Sequence, residues 1–85
     1  MRSFEYTVKD ALGLHARPAG MLVRLVQSLG DRVEIKKGEK TVSGTRLLAL
    51  MGLGIRCGDT VTVEIEGPSE EGSAASLLAF FEKNL

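Results

Sequence analysis

The sequence predicts an α+β fold in which three helices cover one face of a four-stranded antiparallel sheet. Segments with alternating apolar and polar residues, typical of strands, interleave with segments of helical periodicity in the order β-α-β-β-α-β-α. Each predicted strand has one apolar face only, which favours antiparallel pairing with the other face in water. The chain of 85 residues has room for a single domain, which we assign to residues 1–85.

Seven segments are predicted in chain order, and glycine, proline or other turn residues separate them. They are a strand over 3–9, a helix over 16–28, strands over 32–37 and 40–43, a short helix over 45–52, a strand over 60–66, and a last helix after Ser69. In the first strand Phe4, Tyr6 and Val8 alternate with polar residues, which is the period of a strand with one buried face. Gly30 is expected to end the first helix.

The last helix has one apolar stripe at helical spacing, and packing in the core is the favoured interpretation. The stripe consists of Ala74, Leu77, Leu78, Phe81 and Leu85. Phe80 lies off this stripe, so we expect it at the rim of the core. Ser69 is predicted to cap the helix, and Glu70 and Glu71 are favourable in its first turn.

Composition limits the function classes. The chain has 11 basic and 11 acidic residues, and this balance argues against a nucleic-acid-binding protein, which needs a basic surplus. One cysteine, Cys57, cannot form an intramolecular disulfide, and with one histidine it cannot complete a structural zinc site. We therefore expect no structural zinc site, and nothing in the sequence calls for another metal or a cofactor. Without a signal-peptide core or a membrane-spanning segment, the expected location is the cytoplasm.

The one histidine, His15, lies where a loop is predicted to become a helix. Gly13 allows a tight turn before it, and Pro18 is acceptable only in the first turn of a helix. Unpaired backbone N–H groups at such a helix end, here those of Ala16 and Arg17, together with the helix dipole, favour an anion. The Arg17 guanidinium adds a positive charge. These parts suit a phosphoryl group, although a surface histidine at a helix cap is the commoner case.

The two shorter helices carry apolar residues that one buried face does not explain. In the first helix Pro18, Leu22, Leu25, Val26 and Leu29 form the predicted buried side, and the opposite side holds Arg17, Gly20, Val23, Arg24 and Gln27. An exposed Val23 beside Gly20 fits a docking face and a solvated face equally well. In the short helix Leu47, Leu48 and Met51 share one side, whereas Leu50 and Leu53 point elsewhere. Either some of these apolar residues form an exposed partner patch, or the helix is unusually enclosed.

The segment Gly13 to Ala19 resembles the active-site motif of the HPr family, the histidine-containing phosphocarriers of the bacterial phosphoenolpyruvate:sugar phosphotransferase system. The resemblance covers nearly the whole chain. It includes Lys40-Thr41-Val42 and Met51 to Ile55, which are similar to the segments that flank the family's regulatory site. The resemblance implies the family's open-faced β-sandwich.

The resemblance also implies a function and its partners. His15 would accept a phosphoryl group on Nδ1 from phosphorylated Enzyme I and pass it to a histidine of an Enzyme IIA protein, with Arg17 close to the phosphate. The chain would act as a monomeric phosphotransfer protein rather than a stand-alone enzyme, without membrane insertion. The implied partner-binding residues are Gly20, Val23, Arg24, Gln27, Arg46, Leu47, Leu48 and Met51.

Two positions depart from the family pattern. Arg46 stands where gram-positive relatives carry a serine that a dedicated kinase phosphorylates, so we predict that this chain lacks the serine switch. Leu12 stands where many relatives have a small polar residue, so it cannot supply a capping hydrogen bond to the loop of His15. A regulatory, transcription-linked member and a nitrogen-branch carrier remain alternatives, although known regulatory members replace the histidine.

Overall fold

The computed structural model describes residues 1–85, which form four strands and three helices. The elements are β1 (Arg2–Thr7), α1 (Ala16–Leu29), β2 (Arg32–Lys37), β3 (Lys40–Ser43), α2 (Leu47–Gly52), β4 (Thr60–Glu66) and α3 (Glu70–Asn84). Their order is the predicted one, and the α+β fold is confirmed. None of the three helices has the length and apolar character needed to cross a lipid bilayer.

The four strands pair antiparallel in the order β1-β4-β2-β3, so β4 lies between the first two strands of the chain. One row across the sheet joins Phe4, Val63, Ile35 and Val42. Val63 and Ile35 are fully buried, which identifies this row as the face that the helices cover. The alternate rows are mainly polar and form the open face, as the period of two predicts.

The core of 18 buried residues lies between the sheet and the helices. α3 packs over β1 and β4, and α1 packs against both α2 and α3. Leu22, Leu50 and Leu77 bring one fully buried leucine from each helix. Phe81 of α3 is also buried, and its ring meets those of Phe4 and Tyr6 edge-on, at centroid distances of 5.9 and 5.5 Å. This packing fixes the C-terminal end of α3 close to the start of α1.

Two element boundaries differ from the prediction by two residues, while the start of β1 and the end of α1 differ by one. β1 ends at Thr7 rather than at residue 9, because the next pair of the ladder is only half formed: the Val8 N–H donates to the Asp59 carbonyl at 2.9 Å, but the Asp59 N–H turns away to the Arg56 carbonyl. Val8 nevertheless stays buried. The short helix begins at Leu47 rather than at Thr45, because Arg46 has the extended backbone of an N-cap residue, with φ −108° and ψ 98°.

Val23 is buried, so the prediction of an exposed valine on the outer side of α1 is wrong. Ala19, four residues earlier on the same side, is completely buried. Since α1 packs against two other helices, its buried arc is wider than the single stripe that one covered face predicts. The exposed positions on the outer side of α1 are Arg17, Arg24 and Gln27.

Ser69 is the N-cap residue of α3, as predicted, but its hydroxyl makes no capping hydrogen bond. The buried carboxylate of Asp31, just before β2, anchors the helix start without capping it: Oδ1 accepts the Ser69 N–H at 3.3 Å, and Oδ2 accepts the Ser73 hydroxyl at 2.8 Å. A Cβ on Gly67 would lie 2.6 Å from the Asp31 carboxyl carbon, so only glycine leaves room for this carboxylate. The helix start is therefore held by the residue that precedes β2.

Candidate functional site

His15 is the N-cap residue of α1, at the point where the loop after β1 becomes a helix. Its backbone is extended, with φ −90° and ψ −177°, and its carbonyl accepts the Ala19 N–H at 3.0 Å. Its own N–H donates to the Gly13 carbonyl at 3.1 Å. The imidazole makes no capping hydrogen bond and is partly exposed. The backbone is thus fixed on both sides of His15, while the ring nitrogens remain available for chemistry.

The first turn of α1 presents two free N–H groups beside this imidazole. The first N–H groups of a helix have no partner within the helix. Pro18 has no N–H, and Ala19 is paired with His15, so only the N–H groups of Ala16 and Arg17 remain unpaired. No acidic residue lies in this turn. The helix dipole and these two donors make the position suitable for an anion attached to His15.

A shallow, open depression of about 220 Å³ adjoins the imidazole and is lined by His15, Arg17, Pro18, Met21 and Asn84. Arg17 is exposed and forms no ion pair within the protein, so its guanidinium is free for a ligand. Asn84 comes from the end of α3, where its amide donates to the Phe80 carbonyl at 3.0 Å. Sequence reasoning missed Asn84, because only the packing of α3 brings it to the site.

The side chain of Leu12, a residue that is 72% exposed, does not hold the loop before His15. Asp10 takes this role: its Oδ1 accepts the Leu12 N–H at 2.8 Å, and its carbonyl accepts the Gly13 N–H at 2.9 Å. Gly13 has a φ of +66°, a conformation that favours glycine. The turn that leads to His15 therefore depends on the aspartate two residues before Leu12.

α2 has a buried side and an exposed apolar side. Leu50 and Leu53 are buried, whereas Leu48 is 86% exposed, and Leu47 and Met51 are 40% and 37% exposed. α2 packs against α1, so the two helices are neighbours in the structure. Gly20 of α1 has open space where a Cβ would be. The structure thus leaves the predicted partner-binding residues accessible, apart from Val23.

Acidic and basic residues are separated along the chain, although the net charge of the whole protein is zero. Residues 11–30 and 40–58, which include α1 and α2, contain no aspartate or glutamate. They contain five basic residues: Arg17, Arg24, Lys40, Arg46 and Arg56. All 11 acidic residues lie in the rest of the chain. The surface next to His15 therefore has a local positive charge, and the spacing of acidic residues along the sequence was a signal that could have identified it.

Arg46 is the N-cap residue of α2, and its side chain supplies no capping hydrogen bond. A serine would be favoured at this position, because its hydroxyl can accept a hydrogen bond from the first turn. Two hydroxyl groups precede Arg46, and they bind each other: Ser43 Oγ and Thr45 Oγ1 are 2.9 Å apart. The start of α2 is therefore uncapped and positively charged.

A larger depression, of about 460 Å³, lies at the other end of α3, about 20 Å from Asn84 by helix length. Its carboxylates already have cationic partners, since Glu70 binds the N-terminal amine at 3.1 Å and Glu71 lies 3.4 Å from Arg2. It offers no group suited to catalysis. No three His, Cys, Asp or Glu side chains converge as metal ligands anywhere in the structure.

Sequence comparison places these features in one family. Residues 2–83 match the family model described as the PTS HPr component phosphorylation site. The chain is 34% identical to the phosphocarrier protein HPr of Lysinibacillus sphaericus, over 91% of this chain and 88% of the relative. It is 37% identical to the HPr-like protein Crh of Halalkalibacterium halodurans, over 89% of this chain and 90% of the relative. It is 35% identical to the phosphocarrier protein NPr of Escherichia coli, over 87% and 83%.

Structural comparison agrees. The fold superposes on the crystal structure of HPr from Thermoanaerobacter tengcongensis with a TM-score of 0.91 and 29% identity, covering 96% of this chain and 92% of that one. The similarity therefore extends over the sheet, the three helices and the loop that carries His15. The chain belongs to the HPr family, the histidine-containing phosphocarriers of the bacterial phosphoenolpyruvate-dependent phosphotransferase system.

Proposed function

We propose that His15 accepts a phosphoryl group from phosphorylated Enzyme I and passes it to a histidine of an Enzyme IIA protein during sugar uptake. The observation that carries this proposal is the position of His15 as the N-cap residue of α1, next to two unpaired N–H groups. The chain contains no other histidine, so a phosphohistidine relay through it has one possible carrier. Family membership supports the phosphocarrier role in general.

In this mechanism an imidazole nitrogen of neutral His15, Nδ1 by family resemblance, attacks the phosphorus of the donor phosphohistidine. One P–N bond forms, the donor P–N bond breaks, and the donor imidazole leaves with the electron pair. The N–H groups of Ala16 and Arg17 and the Arg17 guanidinium donate hydrogen bonds to the phosphoryl oxygens. Each helix-end interaction contributes about 0.3–2 kcal/mol, which is weak enough for the group to be released to the next acceptor.

A labelling experiment tests this relay. The protein is incubated with Enzyme I and phosphoenolpyruvate labelled with ³²P, and then with an unlabelled Enzyme IIA. We expect one acid-labile, base-stable phosphoryl group per chain, transfer of the label to Enzyme IIA, and no label in the His15→Ala variant. A folded wild-type protein that takes no label from any cognate Enzyme I would contradict the proposal.

We further propose a docking surface on α1 and α2 that both partners use. It consists of Gly20, Arg24, Gln27, Arg46, Leu47, Leu48 and Met51. Exposed leucine and methionine side chains within a positively charged region support this role, because such surfaces bind acidic partners with adaptable apolar contacts. Val23 is left out, because the structure buries it in the core.

The docking surface is tested with Leu48→Asp, since Leu48 is the most exposed of its apolar residues. We expect about a tenfold higher KM for Enzyme I with kcat little changed, because one buried apolar contact is worth about 1.5 kcal/mol. Thr41→Asp is the matched control, because it adds the same charge at an exposed position of β3. Equal effects of the two variants on KM would contradict a docking role for Leu48.

We also propose that the protein is not controlled by phosphorylation at the start of α2. Arg46 has no hydroxyl, and the nearby hydroxyls of Ser43 and Thr45 are bound to each other. Incubation with the family's serine kinase and ATP should leave the wild type unlabelled, whereas Arg46→Ser serves as the positive control. Incorporation of phosphate into the wild type would contradict this proposal.

Sequence identity does not distinguish the sugar branch of the phosphotransferase system from the nitrogen branch, because the chain is 34% identical to an HPr and 35% identical to an NPr. We propose the sugar branch, with the nitrogen branch as the alternative. Phosphorylated protein is mixed with Enzyme IIA from each branch, and the initial rates of phosphoryl transfer are compared. Faster transfer to the nitrogen-branch acceptor would favour the alternative, and binding without any transfer would favour a regulatory role.

A further inference from the structure

The segment 54–59, which joins α2 to β4, forms the support on which the loop of His15 rests. The Leu14 N–H donates to the Ile55 carbonyl at 3.1 Å. A Cβ on Gly13 would clash with that carbonyl and lie 2.8 Å from the Arg56 Cα, so the two backbones are in direct contact. Since His15 also binds back to Gly13, its position is set by the backbone of residues 55 and 56.

Lys37 and Asp59 hold this segment at both ends. The Lys37 ammonium group donates to the Gly54 carbonyl at 2.8 Å and lies 3.0 Å from Asp59 Oδ2. The same carboxylate oxygen accepts the Arg56 N–H at 2.8 Å. Lys37 is the last residue of β2 and Asp59 immediately precedes β4, so two adjacent strands of the sheet anchor the pair. Both side chains are about one third exposed, which shields them in part from water.

We infer that Lys37 and Asp59 are positioning residues for His15: they fix the backbone of segment 54–59, and that backbone fixes Leu14 and the start of α1. The expected effect of this positioning on phosphoryl transfer rests on the proposed function, whereas the hydrogen bonds that fix the loop do not depend on it. No hydrogen bond or ion pair joins Lys37 or the Asp59 side chain to the imidazole or to a residue of the docking surface. Loss of the pair should therefore lower kcat for phosphoryl transfer and leave the KM for Enzyme I unchanged.

A second ion pair of the same two strands supplies a matched control. Arg32 and Glu66 are paired at the opposite ends of β2 and β4, and with side chains 65% and 53% exposed they are the more exposed of the two pairs. Removing that pair costs the sheet one ion pair of the same kind without touching segment 54–59. Glu66→Gln should accordingly leave both His15 and Leu14 unaffected.

The experiment measures amide hydrogen exchange of Leu14 by NMR, together with the steady-state kinetics of phosphoryl transfer from Enzyme I. In Lys37→Met and Asp59→Ala we expect the Leu14 amide to exchange at least about threefold faster. The expected factor is small because a partly exposed ion pair contributes little free energy. Exchange of Val63, in the centre of β4, should not change. Transfer should lose a similar factor in kcat, and Lys37→Arg, which keeps a donor and the charge, should restore both readouts.

The possible results separate the two hypotheses. Three results would overturn the positioning role. The first is an unchanged amide exchange rate of Leu14, and the second is an equal change of that rate in Glu66→Gln. The third is an exchange rate of Val63 that rises as much as that of Leu14. A wild-type protein that receives no phosphoryl group would contradict the proposed function, while the exchange data would still decide the positioning of the loop. Non-additive effects in the Lys37→Met, Asp59→Ala double variant would support action through the same segment.

Discussion

Replacing Gly13 by alanine should destabilise the protein through two separate effects. The first is conformational: Gly13 has a φ of +66°, and a left-handed conformation costs a residue with a Cβ about 1–2 kcal/mol. The second is steric. The new methyl group would clash with the Ile55 carbonyl and lie 2.8 Å from the Arg56 Cα, and backbone at this contact cannot move aside like a flexible side chain. Overpacking of this kind costs about 1–3 kcal/mol more.

Gly38 provides the control that separates these effects. It has a φ of +60° in the turn between β2 and β3, but no atom lies within 4 Å of its Cβ position. Gly38→Ala therefore has the conformational cost without the steric one. Both variants lower the conformational entropy of the unfolded chain, so this contribution cancels when their stabilities are compared. Urea unfolding should show Gly13→Ala to be less stable than Gly38→Ala by about 1–3 kcal/mol. Equal losses would refute the claim that the loop of His15 rests on segment 54–59.

Three further predictions concern the anchoring of α3, the ionisation of Asp59 and the start of α2. Asp31→Ala should lower the free energy of unfolding by about 1–3 kcal/mol, since it leaves hydrogen-bond donors unpaired, and Ser73→Ala should cost less in the same urea titration. The pKa of Asp59 is lowered by the Arg56 N–H bond and then by Lys37. The order imposed by the Asp59 carboxylate should therefore persist below the usual aspartate pKa of about 3.9 and be lost only as pH falls through the lower value. The ¹⁵N shift of Arg56 should report that midpoint, and a midpoint at or above the usual value would contradict the pairing. Arg46→Ser should stabilise the protein by about 0.5–1 kcal/mol in thermal unfolding, because serine caps a helix start where arginine does not; a loss of stability would contradict it.

Most of the fold could be predicted because the sheet is covered on one side only. One-sided burial forces apolar residues into every second position, and turn residues then mark where each strand stops. The strands Arg32–Lys37, Lys40–Ser43 and Thr60–Glu66 were accordingly predicted with their observed bounds. The end of β1 was not, because hydrogen bonds to residues 58 and 59, about 50 residues away, decide it. The start of α2 was not, because the extended backbone of Arg46 delays the helix by two residues.

The wrong predictions have a common physical origin in tertiary contacts. A helical wheel assumes one buried face, but α1 contacts two other helices, so Val23 and Ala19 both enter the core. Local capping preference pointed to the hydroxyl of Ser69, yet this hydroxyl caps nothing, and a carboxylate 38 residues away anchors the helix start instead. In the same way, Asn84 reaches the site through the packing of α3, and Lys37 reaches segment 54–59 through the sheet. None of these contacts has a local sequence signal.

The balance of charge has a different meaning once positions are considered. Five basic residues and no acidic residue lie in residues 11–30 and 40–58, so the other six basic residues share the rest of the chain with all 11 acidic ones. The zero net charge therefore arises from separation rather than from mixing. A neutral total weakens unspecific attraction to nucleic acid, whereas a local excess of positive charge attracts an acidic partner over about the 10 Å range of screening. Docking at α1 and α2 should consequently weaken as ionic strength rises, although the protein as a whole carries no net charge.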